Sequence, residues 1–248
     1  GTTKLTQPAE SRDHTERMFS AMGVNLTKSG LDLVLEPSEL ETVDVEIPGD
    51  ISSAAFWMVA GVCHPDAELL IKNVGINPTR AGIITALQMM GADLTLVDER
   101  EVAGEPVADV LVRTSQLKGI ELAGDIVPLL IDEIPVIAVA AAVAEGETIV
   151  RDAAELRVKE SDRIQASISW LNGVGVDAIG TDDGMIVPGG NSIGGGQFQS
   201  YDDHRLAMSL GVAGLISTEP ITILDPDVAG ISYPSYWAII EELGGLVG

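Results

Sequence analysis

Cysteine occurs once, at Cys63, so no internal disulfide can form, and no Cys/His spacing suggests zinc. Its place at the end of a small apolar run marks it as a core thiol. Basic residues are scarce: 14 Lys and Arg stand against 38 Asp and Glu, a formal net charge of −24. That balance argues against nucleic acid and against an anionic membrane surface as partners, because both need a basic face. The acid excess reads most simply as a solvated surface. An anionic ligand would meet an opposing field, and only a local group of Arg and Lys could hold it. Long apolar runs are lacking too: they reach about a dozen residues, against the roughly 20 that cross a bilayer as a helix. The expectation is a soluble, cytoplasmic chain, whose 248 residues suffice for one large or two medium domains.

What the chain does have is an internal repeat, with a spacing of about 70 to 80 residues. The first copy reads as a strand at 43–47, a helix at 52–62, a strand at 68–74, a helix at 79–90 and strands at 93–97 and 109–113. A second copy follows the same order: 119–122, a helix at 134–144, a strand at 148–151, a helix at 161–172 and strands near 176–179 and 185–187. A third gives a helix at 204–216, a strand at 221–224 and a helix at 233–243, without two closing strands. Residues 1 to 45 resemble the back half of another unit: a strand end at 4–7, a helix at 11–22 capped by Ser11 and closed by Gly23, and a hairpin turning at Ser29-Gly30. A unit that begins halfway predicts a fragment with sequence missing upstream. The helices at 53–62 and 136–144 are apolar on every face, whereas the strands alternate. That pattern predicts an α/β (α+β) fold of βαβαββ units with buried helices and outer sheets.

Three charged segments precede apolar helices: Ile131-Asp132-Glu133-Ile134-Pro135, Leu156 through Arg163, and Asp202-Asp203-His204-Arg205. Lys159 and Arg163 are four apart, so on a helix they would share a face and repel. A helix start carries unpaired N–H groups and partial positive charge, which suits acids and opposes cations. Ser52 and Thr79 are explained as caps. Lys159, Arg163 and Arg205 are not, and they point to an anionic ligand shared by converging helix starts. Glu133, Arg80 and Arg157 read as structural, the two arginines as ion-paired.

At these residues the chain resembles the 5-enolpyruvylshikimate-3-phosphate synthases (3-phosphoshikimate 1-carboxyvinyltransferases), and most closely the bacterial branch that includes glyphosate-tolerant members. The matching pieces, in the family's order, are Ser11 through Glu16, Pro48 through Ala54, Asn77-Pro78-Thr79-Arg80, Ile131 through Pro135, Leu156 through Arg163, and Asp203 through Met208. The resemblance implies two lobes of βαβαββ units around a cleft. Residues 1–45 would end the N-terminal lobe, and 46–248 would form most of the C-terminal lobe. It implies transfer of the enolpyruvyl group of phosphoenolpyruvate to the 5-hydroxyl of shikimate 3-phosphate by addition and elimination, with no cofactor and no metal. Asp132 matches the base for the hydroxyl, Lys159 its neighbour, and Glu160 the acid that handles the methylene proton. Arg163 and Arg205 match the pair that grips phosphoenolpyruvate, with His204 beside them, and Arg12 matches a contact to shikimate 3-phosphate. Many members carry a lysine two residues before the aromatic-proline pair near the C-terminus, where this chain has Ile231.

The N-terminal half, with further substrate-binding residues, is expected as the complementing partner, and the chain by itself is expected to be nearly inactive. Two alternatives stand beside this reading. One is a UDP-N-acetylglucosamine enolpyruvyl transferase, which shares fold and reaction type. The other is a non-catalytic lobe that binds ligand weakly or serves in assembly.

Overall fold

The computed structural model describes residues 1–8 and 10–247. At the N-terminal end, β1 (Thr3–Thr6), α1 (His14–Ala21), β2 (Leu26–Ser29) and β3 (Asp32–Leu35) form an antiparallel sheet in the order β1-β3-β2 with one helix. The hairpin turns at Gly30, in the left-handed region, and Gly23, also left-handed, follows the end of α1. The helix starts later than its sequence suggests. Ser11 bonds Gln7 instead of capping, and the carboxylate of Asp13 is taken by Arg17 at 2.9 Å and Asn77 at 2.7 Å.

The first repeat contains α2 (Ile51–Cys63), β4 (Glu68–Gly75), α3 (Gly82–Met89), β5 (Asp93–Val102) and β6 (Glu105–Arg113). The second contains β7 (Glu121–Leu122), α4 (Ile134–Val143), β8 (Glu147–Val150), α5 (Arg163–Gly173), β9 (Ile179–Thr181) and β10 (Gly184–Pro188). The third contains β11 (Gly196–Gln199), α6 (His204–Ile216), β12 (Ile221–Leu224) and α7 (Tyr236–Glu242). The sheets run β4-β6-β5, β7-β8-β10-β9 and β11-β12.

In the second and third repeats the opening strand pairs parallel with the strand after the core helix, β7 with β8 and β11 with β12. In the first repeat that pairing shrinks to one parallel bridge, Gly49 with Val74, so the strand expected at 43–47 does not form. Its apolar residues Val45 and Ile47 stay exposed. Conversely, β11 starts on the last of three glycines, Gly194 to Gly196, a run of low strand propensity, and forms where β12 supplies its partner. The β5–β6 hairpin is longer than expected, turning through Ala103 and Gly104, both left-handed. α3 begins at Gly82, because Asn77 Oδ1 accepts the Thr79 N–H at 2.9 Å and makes a turn there. α7 likewise begins three residues late, at Tyr236.

α2, α4 and α6 pack on one another, and the sheets lie outside them. Residues Ile134 to Ala142 of α4 are all buried, which stabilises by roughly 1.5–3 kcal/mol for each large aliphatic side chain. Tyr236 packs against Phe56, Trp57, Tyr233 and Trp237 and donates its hydroxyl to Met208 O at 2.7 Å. Gly211 lets these rings approach, since a Cβ there would stand 2.9 Å from Trp237. Cys63 packs against the core, and burial pushes its thiol up to about 12. Among the described residues no helix is long and apolar enough to cross a membrane.

Candidate active site

The three core helices leave their N-termini at one end. Asp132 lies there, on a single 3-10 turn (Ile131–Glu133) that enters α4. Its carboxylate gathers four cations from four segments. Arg12, just before α1, reaches it at 3.0 Å, and Lys159, between a 3-10 turn and α5, at 3.6 Å. Arg163, the first residue of α5, stands at 3.1 Å, and Arg205, the second residue of α6, at 3.9 Å. Burial would by itself raise the Asp132 carboxyl, but Arg205, Lys159, Arg12 and Arg163 together hold it at about 2.

Arg163 is the most constrained of the four, with 1% of its side chain exposed. Its Nε donates to Asp203 Oδ2 at 2.8 Å, its Nη1 to Asp132 at 3.1 Å and its Nη2 to the half-exposed Glu160. Asp203 is itself fully buried and also caps α6 by accepting the Arg205 N–H at 2.9 Å. Tyr201 and Asp202, both left-handed, turn the chain so that Asp203 faces Arg163. Lys159 also pairs with Glu155. His204 stands next to Arg205 with no side-chain hydrogen bond among the described residues, and burial, then the charge of Arg205, lowers its pKa.

Lys159 has extended backbone and lies outside α5, which Asp162 caps. Lys159 and Arg163 therefore share no helical face and converge on Asp132 through the turn. Nor do the cations lack partners without a ligand: Arg12, Lys159, Arg163 and Arg205 face Asp132, Glu133, Glu160 and Asp203. An incoming anion must displace some of these pairs. Arg157 pairs with Asp162 at 2.7 Å, and Arg80 lies 3.4 Å from Asp50, as expected of structural arginines.

Sequence reasoning misses the double duty of Asp203, because capping explains it fully until Arg163 is seen beside it. It also misses a chain of contacts from Arg80 through Ser52 and Glu133 to Arg205, which joins residues up to 125 positions apart and has no local signal. An apolar cavity of about 350 Å³, lined by Met18, Val43, Val45, Ile47 and Val102, lies beside Arg80 and Asp50 and not at Asp132. Ile231 is exposed at the end of the 3-10 turn Pro226–Ile231.

The family model for EPSP synthase (3-phosphoshikimate 1-carboxyvinyltransferase) matches residues 1–240. The chain belongs to the EPSP synthase family. It is 52% identical over 244 residues to the 3-phosphoshikimate 1-carboxyvinyltransferase of Geobacter metallireducens, covering 98% of this chain and 57% of that one. It is 52% identical over 246 residues to that of Gloeothece citriformis, covering 98% and 55%. An EPSP synthase structure from Acinetobacter baumannii superposes with a TM-score of 0.94 at 43% identity, over 98% of this chain and 56% of that one. The enolpyruvyl transferase NikO from Streptomyces tendae, at 20% identity and a TM-score of 0.72, shares the fold. The fold is thus α/β and enolpyruvyl transferase-like, and the chain spans just over half the length of these relatives.

The depressed Asp132 carboxyl of this EPSP synthase family member makes a pH prediction. A carboxylate held at about 2 in the folded chain, against 3.8 for the free group, contributes stability that is present above 3.8 and lost as pH falls towards 2. After allowance for solvent screening the loss is of order 1 kcal/mol. Denaturation midpoints across that window should fall more steeply for the wild type than for Asp132→Asn, and equal slopes would contradict the assignment.

Proposed function

We propose that the chain forms one side of an active site that moves the enolpyruvyl group of phosphoenolpyruvate to the 5-hydroxyl of shikimate 3-phosphate and releases phosphate. The carrying observation is the placement of Asp132 among four cations at 3.0–3.9 Å. The reaction needs a base for the hydroxyl, an acid for the methylene carbon, and cations for one carboxylate and two phosphates. Asp132 takes the hydroxyl proton with Lys159 beside it, and the oxygen bonds to C2 of the enolpyruvyl group. Glu160 delivers a proton to the methylene carbon. In the elimination the Glu160 carboxylate takes a proton back from the methyl group and phosphate leaves with the proton held by Asp132, which restores the double bond and both acids to their starting state. Arg163 and Arg205 hold phosphoenolpyruvate, with His204 alongside, and Arg12 holds shikimate 3-phosphate.

At about 2 the carboxyl of Asp132 is a poor base. Substrate anions that draw Arg205, Lys159 and Arg163 away from it raise its proton affinity, so the base is activated when the substrates are in place. The names of the relatives at about 50% identity support the same substrates. The partner is a complementing N-terminal half, and the location is the cytoplasm. A site shared between two halves cannot be preorganised by one of them. Purified by itself, the chain should show negligible turnover, and mixing with the complementing half should restore product from shikimate 3-phosphate but not from UDP-N-acetylglucosamine. Robust turnover by the isolated chain would refute the shared site. Product from the nucleotide sugar, or none from shikimate 3-phosphate, would refute the reaction.

A further inference from the structure

Glu133 is a buried acid at the start of α4, where its carboxylate could cap the helix, yet it makes no side-chain cap bond. Its Oε1 turns instead towards Ser52, whose hydroxyl donates to it at 2.5 Å, and towards Arg205 Nη1 at 3.5 Å. Ser52 is fixed in turn by Arg80, which donates to its Oγ at 2.8 Å and stands 3.4 Å from Asp50. Burial raises the Glu133 carboxyl, while Ser52 and Arg205 pull it down.

Buried ion pairs replaced by well-packed apolar groups are often neutral or stabilising. What this one does is geometric. The Arg205 guanidinium stands between two successive carboxylates, Glu133 at 3.5 Å and Asp132 at 3.9 Å, with the Asp132 carbonyl at 3.3 Å. Attraction between charges falls with separation, so the nearer and better-anchored Glu133 sets the position. If its charge were lost, Arg205 would close on Asp132, and the edge that faces an incoming anion would be spent on the base.

We propose that Glu133 is a positioning residue that holds Arg205 off Asp132 and leaves the guanidinium available to the anionic substrate. This rests on the proposed reaction for the choice of phosphoenolpyruvate as probe, but the placement of Arg205 is read without any ligand. Glu133→Gln keeps the shape and an acceptor for Ser52 and removes only the charge. In a crystal structure of the 248-residue variant, the Arg205 to Asp132 side-chain distance should shorten from 3.9 Å to about 2.9 Å, an ordinary charge-assisted hydrogen bond. Calorimetric titration of phosphoenolpyruvate into the two halves combined should show about tenfold weaker binding than with the wild-type chain, the scale of one such contact. Glu133→Asp, charged but one methylene shorter, should fall between the two in both measurements, and it carries the test if Glu133→Gln does not fold. A lowered melting temperature with Arg205 and the affinity unchanged would make Glu133 merely structural and overturn the proposal. If Arg205 moves but the wild-type chain combined with its complementing half takes up no phosphoenolpyruvate, the proposed substrate fails and the positioning role stands.

Discussion

Replacing Asp132 by asparagine should lower the turnover of the two halves combined by about 10²–10⁴-fold, the range set by loss of a positioned base. Arg163 and Arg12 now bond different oxygens of Asp132, at 3.1 and 3.0 Å, so the single oxygen of asparagine can accept from one of them only; Arg163 keeps Asp203 and Glu160, and the fold should survive. Anion binding should not suffer. Four cations would face one carboxylate fewer, and phosphoenolpyruvate would no longer have to compete with Asp132 for Arg163, Arg205 and Lys159. Steady-state kinetics should therefore show a collapse in kcat with KM unchanged or lower. A near-normal kcat would remove Asp132 as the base, whereas a rise in KM with kcat kept would make it a binding residue.

The largest effect on stability is expected at Asp203→Ala. Asp203 and Arg163 are 0% and 1% exposed, and the substitution leaves the guanidinium with Asp132 and the half-exposed Glu160 as its remaining partners. Breaking a buried pair from one side costs about 3–5 kcal/mol, and losing the α6 cap costs about 1 kcal/mol more. Asp203→Asn, which keeps an acceptor for the Arg205 N–H but not the charge, should lose distinctly less. Equilibrium denaturation decides this, and a loss under about 1 kcal/mol for Asp203→Ala would show that Asp132 and Glu160 suffice for Arg163. Arg163 would then be free to leave Asp203 for a ligand.

The core helices were legible because their signal is local. The runs that became α2 and α4 have no polar face, which only a position surrounded by other elements can accommodate. The strand expected at 43–47 alternates well enough, but a strand exists only where a partner offers its backbone, and there the partner meets it at one bridge. β11, which follows a run of glycines, shows the converse. Lys159 reaches Asp132 by a geometry other than the expected one: it lies in a turn and not on α5.

The sequence by itself determined the repeat, the burial of the helices and the identity of the charged groups, because each follows from the order of side chains within a few turns of chain. Only the tertiary structure decided which charges meet. Arg12 and Asp132 are 120 residues apart, Arg163 and Asp203 are 40 apart, and Ser52 and Glu133 are 81 apart. Such contacts depend on distance in space, which packing of the three core helices sets and no local pattern records.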